Sequence, residues 1–189
     1  MSESMSETLK NKIHNINKLP NLKKKIFYTL IMFLVARIGT HIPSPGVDTA
    51  RLAEMVNTND ILGFINMFSG GAFKRVSIFA LGVMPYINAS IVMQLLTVII
   101  PKLEQMQKEG ENERQKITQW TRYLTIVIGT VQGFGVSMWL QSMGLVRNPG
   151  VLFIFTTVTI LTAGTVFLMW LGEQITVNGI GNGISLIIF

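Results

Sequence analysis

Residues 61–100 read ILGFINMFSGGAFKRVSIFALGVMPYINASIVMQLLTVII. A short apolar piece, Ile61–Phe68, is followed by Ser69-Gly70-Gly71 and the basic pair Lys74-Arg75. From Ser77 to Ile100 there is no charge. That run exceeds the about 20 residues a helix needs to cross a ~30 Å hydrocarbon core. Ile61–Phe68 falls far short of it, about 12 Å as a helix at 1.5 Å per residue. The pairing of a stub with a span decides the fold class: an all-α integral membrane bundle with one short non-spanning helix.

The rest of the chain agrees. Only 14% of residues are charged and 49% are hydrophobic, against about 25% charged in a typical soluble domain. Mean hydropathy is +0.44. With no cysteine, disulfides, thiol nucleophiles and Cys-based metal sites are excluded. Two further charge-free runs, Tyr123–Val146 and Val151–Gly172, are long enough to span. Ile26–Ile42 is a fourth span interrupted by Arg37, and an apolar fifth begins near Gly181 and is cut at Phe189. The spans are expected near 26–42, 77–100, 123–146 and 151–172, with a fifth starting at 181–189, all within a membrane domain over 23–189. A chain ending inside an apolar run is expected to be a piece of something longer.

Charge sets the orientation. Lys10, Lys12, Lys18 and Lys23–Lys25 precede the first span, and Lys102, Lys108, Arg114, Lys116 and Arg122 follow the second. The positive-inside rule puts both in the cytoplasm, so the formal charge of +6 reads as topology. It does not read as nucleic-acid binding, because no basic stripe alternates with aromatics. In the cytoplasmic tail, residues 1–22, Ser4 and Glu7 make a capping box. Leu9, Ile13 and Ile16 then fall on one helical face up to Pro20, so a short amphipathic helix on the cytoplasmic surface and a frayed solvated tail are equal readings.

The stub, region 61–75, lies on the outer side. A non-spanning helix at membrane depth survives only where protein or water surrounds it. The glycines after it form a flexible joint. Pro85 is expected to kink the following span. Asn88, Ser90 and Gln94 favour a protein or aqueous face, and Val83 and Ile87 share one side at i and i+4. From the residues alone, a tightly packed bundle helix and a pore-lining helix behind a plug remain equal readings.

RIGTHIPSPGVD (Arg37–Asp48), MFSGGAFKRVSIFALGVMPYINASIVMQLLTVIIP (Met67–Pro101), KEGENERQKITQWTRY (Lys108–Tyr123) and FLMWLGEQITVNGIGNGISLIIF (Phe167–Phe189) closely resemble the SecY family of bacterial protein-conducting channel subunits. The resemblance is collinear over nearly the whole chain. It implies the first half of a ten-helix, inverted-repeat channel in the bacterial plasma membrane. The channel moves unfolded secretory polypeptides and releases transmembrane segments sideways into lipid. The stub then corresponds to the plug: Ile61, Leu62, Phe64, Ile65, Met67, Phe68, Ser69, Gly70 and Gly71. Val83, Ile87, Ile184 and Ile188 correspond to four pore-ring residues, and the second and third spans to one side of a lateral gate. Implied partners are the SecE and SecG subunits, the SecA motor ATPase, the ribosome, the translocating polypeptide and the lipid bilayer. Direct nucleic-acid recognition is not expected.

An alternative is half of an inverted-repeat secondary transporter, which ought to place ionisable groups at mid-membrane, and the three charge-free spans speak against it. An intramembrane enzyme would need an activated nucleophile, and no His, Asp or Lys lies in the central spans to supply a base. No cofactor or metal is expected, since His14 and His41 have no carboxylate pair nearby in sequence. Arg37 reads as a side chain snorkelling from the outer end of its span, and Glu173 as an interfacial residue. Gly129-x-x-x-Gly133 fits close helix packing. Gly179-x-Gly181-x-Gly183 lacks the preceding strand and the spacing of a nucleotide loop.

Overall fold

The structure, a computed structural model, describes residues 20–68, 71 and 73–188. The amphipathic helix or solvated tail before Pro20 lies outside them, as do Ser69, Gly70 and the side chains of Ile65 and Phe68. Regular structure among the described residues is helical: α1 (Pro20–Gly39), α2 (Thr49–Thr58), α3 (Asp60–Phe68), a 3₁₀ turn (Phe73–Arg75), α4 (Met84–Ile99), α5 (Pro101–Lys108), α6 (Glu111–Ser142), α7 (Val151–Asn178) and α8 (Gly183–Ile188). Two isolated antiparallel bridges, Pro43 with Ser77 and Val47 with Val146, are the strand-like pairings described.

Helices α6 and α7 are long and apolar enough to cross a membrane; a third span is obtained if α4 and α5, bent by 102°, are taken together. The expected span over 77–100 is corrected: its helix begins only at Met84. Ser77 is held by its bridge to Pro43, and Gly82 adopts φ +58, a left-handed geometry that glycine accepts without a Cβ penalty. Pro85 therefore starts α4 instead of kinking it. It sits in the first turn, where its missing N–H has no helical partner to lose. Helix α1 is not among the helices long and apolar enough to cross, and the apolar runs and the helices differ at their ends. Helix α1 stops at Gly39, α6 begins twelve residues before Tyr123 at Glu111, and α7 runs on to Asn178. Polar residues continue these two helices because a backbone already hydrogen-bonded needs no apolar side chains outside the hydrocarbon.

Two clusters hold the bundle. At one end, Leu52, Val56, Phe73, Val76, Leu140 and Leu145 bury together. This ties α2 and the 3₁₀ turn to the end of α6. Backbone bonds from Asp48 N to Leu145 O (2.8 Å) and from Arg147 N to Gly46 O (3.0 Å) stitch the loops across it. Val76 is 2% exposed at φ +42, a strained conformation for a β-branched residue. Its burial and the Ser44 N to Val76 O bond (2.8 Å) offset a cost of about 1–2 kcal/mol. In the middle, Phe79, Val83, Leu168 and Leu171 pack under Met32, Val35 and Ala36 of α1. Glycines permit that approach: a Cβ on Gly39 would overlap the Phe79 ring, and one on Gly164 would overlap the Ile78 carbonyl. At the other end, Tyr28 donates to Gln174 (3.4 Å) and Ile180 N to Thr29 Oγ1 (3.3 Å). This basic end carries Lys23–Lys25 and Arg122.

Candidate functional site: an apolar constriction between two cavities

Val83 caps α4 with φ −97° and ψ 5°, and Ile87 N donates to its carbonyl at 3.0 Å. The i, i+4 relationship read from the sequence thus survives the correction to the helix start. Ile87 and Ile187 both pack against the buried cluster that contains Val83. Two cavities flank this point. One, about 580 Å³, is lined by Val83, Leu168, Ile188, Met67 of α3 and Arg37 of α1. The other, about 590 Å³, opens toward the basic end and is lined by Ile87, Ile184 and Ile188 with Ser90, Arg122 and Glu173. Ile188 borders both.

The four expected ring residues are divided between the two cavities. Ile87 and Ile184 line one, Val83 the other and Ile188 both, while Val83 is only 7% exposed. Arg37, near the end of α1, also borders the cavity that holds Val83. Glu173, expected at an interface, accepts from Arg122 Nε at 2.7 Å across 51 residues of sequence. Pairing of helix residues so far apart is a tertiary fact that no local pattern signals.

Helix α3 has an apolar edge: Ile61, Phe64 and Met67 are 75%, 63% and 79% exposed. Its residues face two spaces. Met67 borders the cavity that holds Val83. Leu62 and Phe64 border a third space, about 740 Å³, walled by Met84 and Asn88 of α4 and Gln132 and Trp139 of α6. The helix is fastened through Asn66. Lys74 N donates to Asn66 Oδ1 (2.8 Å) and Gly71 N to Asn66 O (2.9 Å), while Lys74 Nζ reaches Asn57 Oδ1 (3.0 Å). Gly71 holds φ +83, a left-handed conformation that glycine accepts without a Cβ penalty. Gly129 and Gly133 both lie against neighbouring helices, Gly133 beside the Val158 backbone. Among the described residues no group of His, Cys, Asp or Glu is placed to hold a metal ion.

The fold is shared with solved channels. "The structure of a protein conducting channel" aligns with a TM-score of 0.62 at 21% identity, covering 88% of this chain and 35% of that one. The SecY structure described by its plug domain aligns with a TM-score of 0.57 at 22% identity, covering 87% and 34%. In sequence, the chain is 53% identical over 177 residues to protein translocase subunit SecY of Escherichia coli K12, covering 90% of this chain and 40% of that protein. To its namesake in Aquifex aeolicus it is 45% identical over 194 residues, covering 98% and 44%. The chain therefore spans less than half the length of these relatives. A family model described as SecY matches residues 77–189, the stretch that builds α4 to α8 and carries Val83, Ile87, Ile184 and Ile188, and the chain belongs to the SecY family.

Proposed function

We propose that this chain forms the first half of the central pore subunit of a protein translocation channel. The channel passes unfolded secretory polypeptides across the bacterial inner membrane and releases apolar segments into lipid. One observation carries the reading: two cavities of similar size meet at Ile188, with branched apolar side chains at the junction. A constriction of that chemistry resists hydration and ion flow by dewetting. It also forms no strong bonds with a passing chain. No reaction is catalysed.

In this reading Val83, Ile87, Ile184 and Ile188 are half of the ring, and Ile61–Gly71 is the plug, with Met67 beside the ring. The N-terminus and the α5 loop lie in the cytoplasm, following their lysines and arginines. Helices α4 and α6 form one wall of a lateral exit, into which an apolar segment partitions because lipid suits it better than an aqueous pore. The SecE and SecG subunits, the SecA motor and the ribosome are the proposed partners, engaged by the full-length protein.

The test is a photo-crosslinker at Ile87 in the full-length channel, engaged with a stalled secretory chain. Crosslinks to that chain are expected, and crosslinks to lipid alone would overturn the assignment.

A further inference from the structure

The Gly179-x-Gly181-x-Gly183 run, unsuited to nucleotides, builds a tight reversal between α7 and α8. Gly181 takes φ +67. Gly179 passes α1 so closely that a Cβ would stand 2.5 Å from Thr29 Oγ1. Gly183 packs onto the backbone of Gly172, where a Cβ would overlap the Gly172 carbonyl and lie 2.6 Å from Ile175 Cβ. The contact is reciprocal, since a Cβ on Gly172 would stand 2.6 Å from Ile184 Cγ1. Thr176 closes it. Its hydroxyl donates to Gly172 O (2.9 Å) and accepts from Gly183 N (2.8 Å). Asn182 Oδ1 then accepts from Ile184 N (3.1 Å) and Ser185 N (3.3 Å), which sets the direction of α8. Ile184 and Ile188 stand directly on this short helix.

We infer that Gly172, Thr176 and Gly183 are positioning residues that set the width of the constriction, by fixing how far α8 stands off α7. The inference rests on Ile184 and Ile188 being pore-ring residues. Packed interiors do not absorb an added methyl without displacement. A methyl at Gly172 drives Ile184 away from α7, toward the cavity it lines. A methyl at Gly183 drives the whole of α8 the same way. Thr176→Val keeps the volume but removes the hydroxyl bridge, so α8 is freed to move away from its set distance. Gly172→Ala and Gly183→Ala therefore narrow the passage, and Thr176→Val loosens it. Gly129→Ala is the control, because a Cβ there meets Pro85 and Thr162 at 3.8 Å, ordinary contact.

The experiment places a single cysteine at Ile188 in the full-length channel and measures its modification by thiol reagents of increasing size, added from the cytoplasmic side. The readout is the ratio of large-reagent to small-reagent rate, which does not depend on how much protein is inserted. Against the Ile188→Cys parent, Gly172→Ala and Gly183→Ala are expected to lower that ratio by about twofold or more, Thr176→Val to raise it, and Gly129→Ala to leave it unchanged, as steric access at a pore constriction dictates. A parent cysteine that labels, with a ratio unmoved by all three variants, overturns the inference and leaves the ring reading standing. A parent cysteine that never labels overturns the ring reading, and the inference with it.

Discussion

Arg122 Nε lies 2.7 Å from Glu173 Oε1, joining α6 to α7 beside the cavity that Ile87, Ile184 and Ile188 line. The side chains are 43% and 21% exposed, so the pair is neither a screened surface contact nor a dry one. Arg122→Ala is expected to cost about 1–2 kcal/mol, between the small value of exposed pairs and the larger cost of stranding a buried charge. Glu173→Gln, whose amide oxygen still accepts from the guanidinium, should cost less. Thermal unfolding of the detergent-extracted full-length protein checks both, and equal effects would contradict the ion-pair account.

Asn66 is the fastening of α3, through its side chain to Lys74 N and its backbone to Gly71 N. Asn66→Ala removes the side-chain bond, worth about 0.5–1.5 kcal/mol net. Since 1.4 kcal/mol is tenfold in a population, α3, the proposed plug, should spend severalfold more time displaced in an idle full-length channel. Ion leak across reconstituted bilayers measures it. Conductance equal to that of the parent would mean that other contacts hold the helix.

Ile188 borders both cavities, and a polar side chain there supplies hydrogen bonds to water at the proposed constriction. Ile188→Asn is expected to raise resting ion leak, because a constriction that seals by dewetting fails once it is hydrated. Ile188→Leu, which keeps the apolar volume, should not. The same bilayer recording distinguishes them.

Gly39 passes the Phe79 ring with no room for a Cβ. Gly39→Ala forces α1 off the central cluster and is expected to destabilise the protein by about 1–3 kcal/mol, the usual cost of overpacking. The double variant Gly39→Ala with Phe79→Leu should recover part of that loss. Denaturation of the two proteins side by side gives the answer.

The sequence supports some of this directly and leaves some of it out of reach. The α6 and α7 spans were legible because long charge-free runs have one economical fate in a bilayer, a helix with its backbone bonds closed internally. The stub was legible from its length alone, and it is α3. The start of α4 was misread, because hydropathy cannot separate helix from apolar turn. Residues 77–83 are as apolar as the helix they precede, and the turn depends on the Pro43–Ser77 bridge and the left-handed Gly82. The cavity that Arg37 borders was not legible for a related reason, since its wall is assembled from α1, α3, the turn before α4, α7 and α8.

Composition and periodicity by themselves determined that this chain is a helical membrane bundle, which end is basic, and that a short apolar helix stands before a span. These follow from local chemistry: the cost of charge in hydrocarbon and the reach of a helix. Only the tertiary structure decided that Arg122 meets Glu173, that Met67 shares a cavity with Val83, and that Gly172 and Gly183 touch backbone to backbone. Each depends on the distance between helices, and that distance is set by what all the neighbouring side chains leave room for.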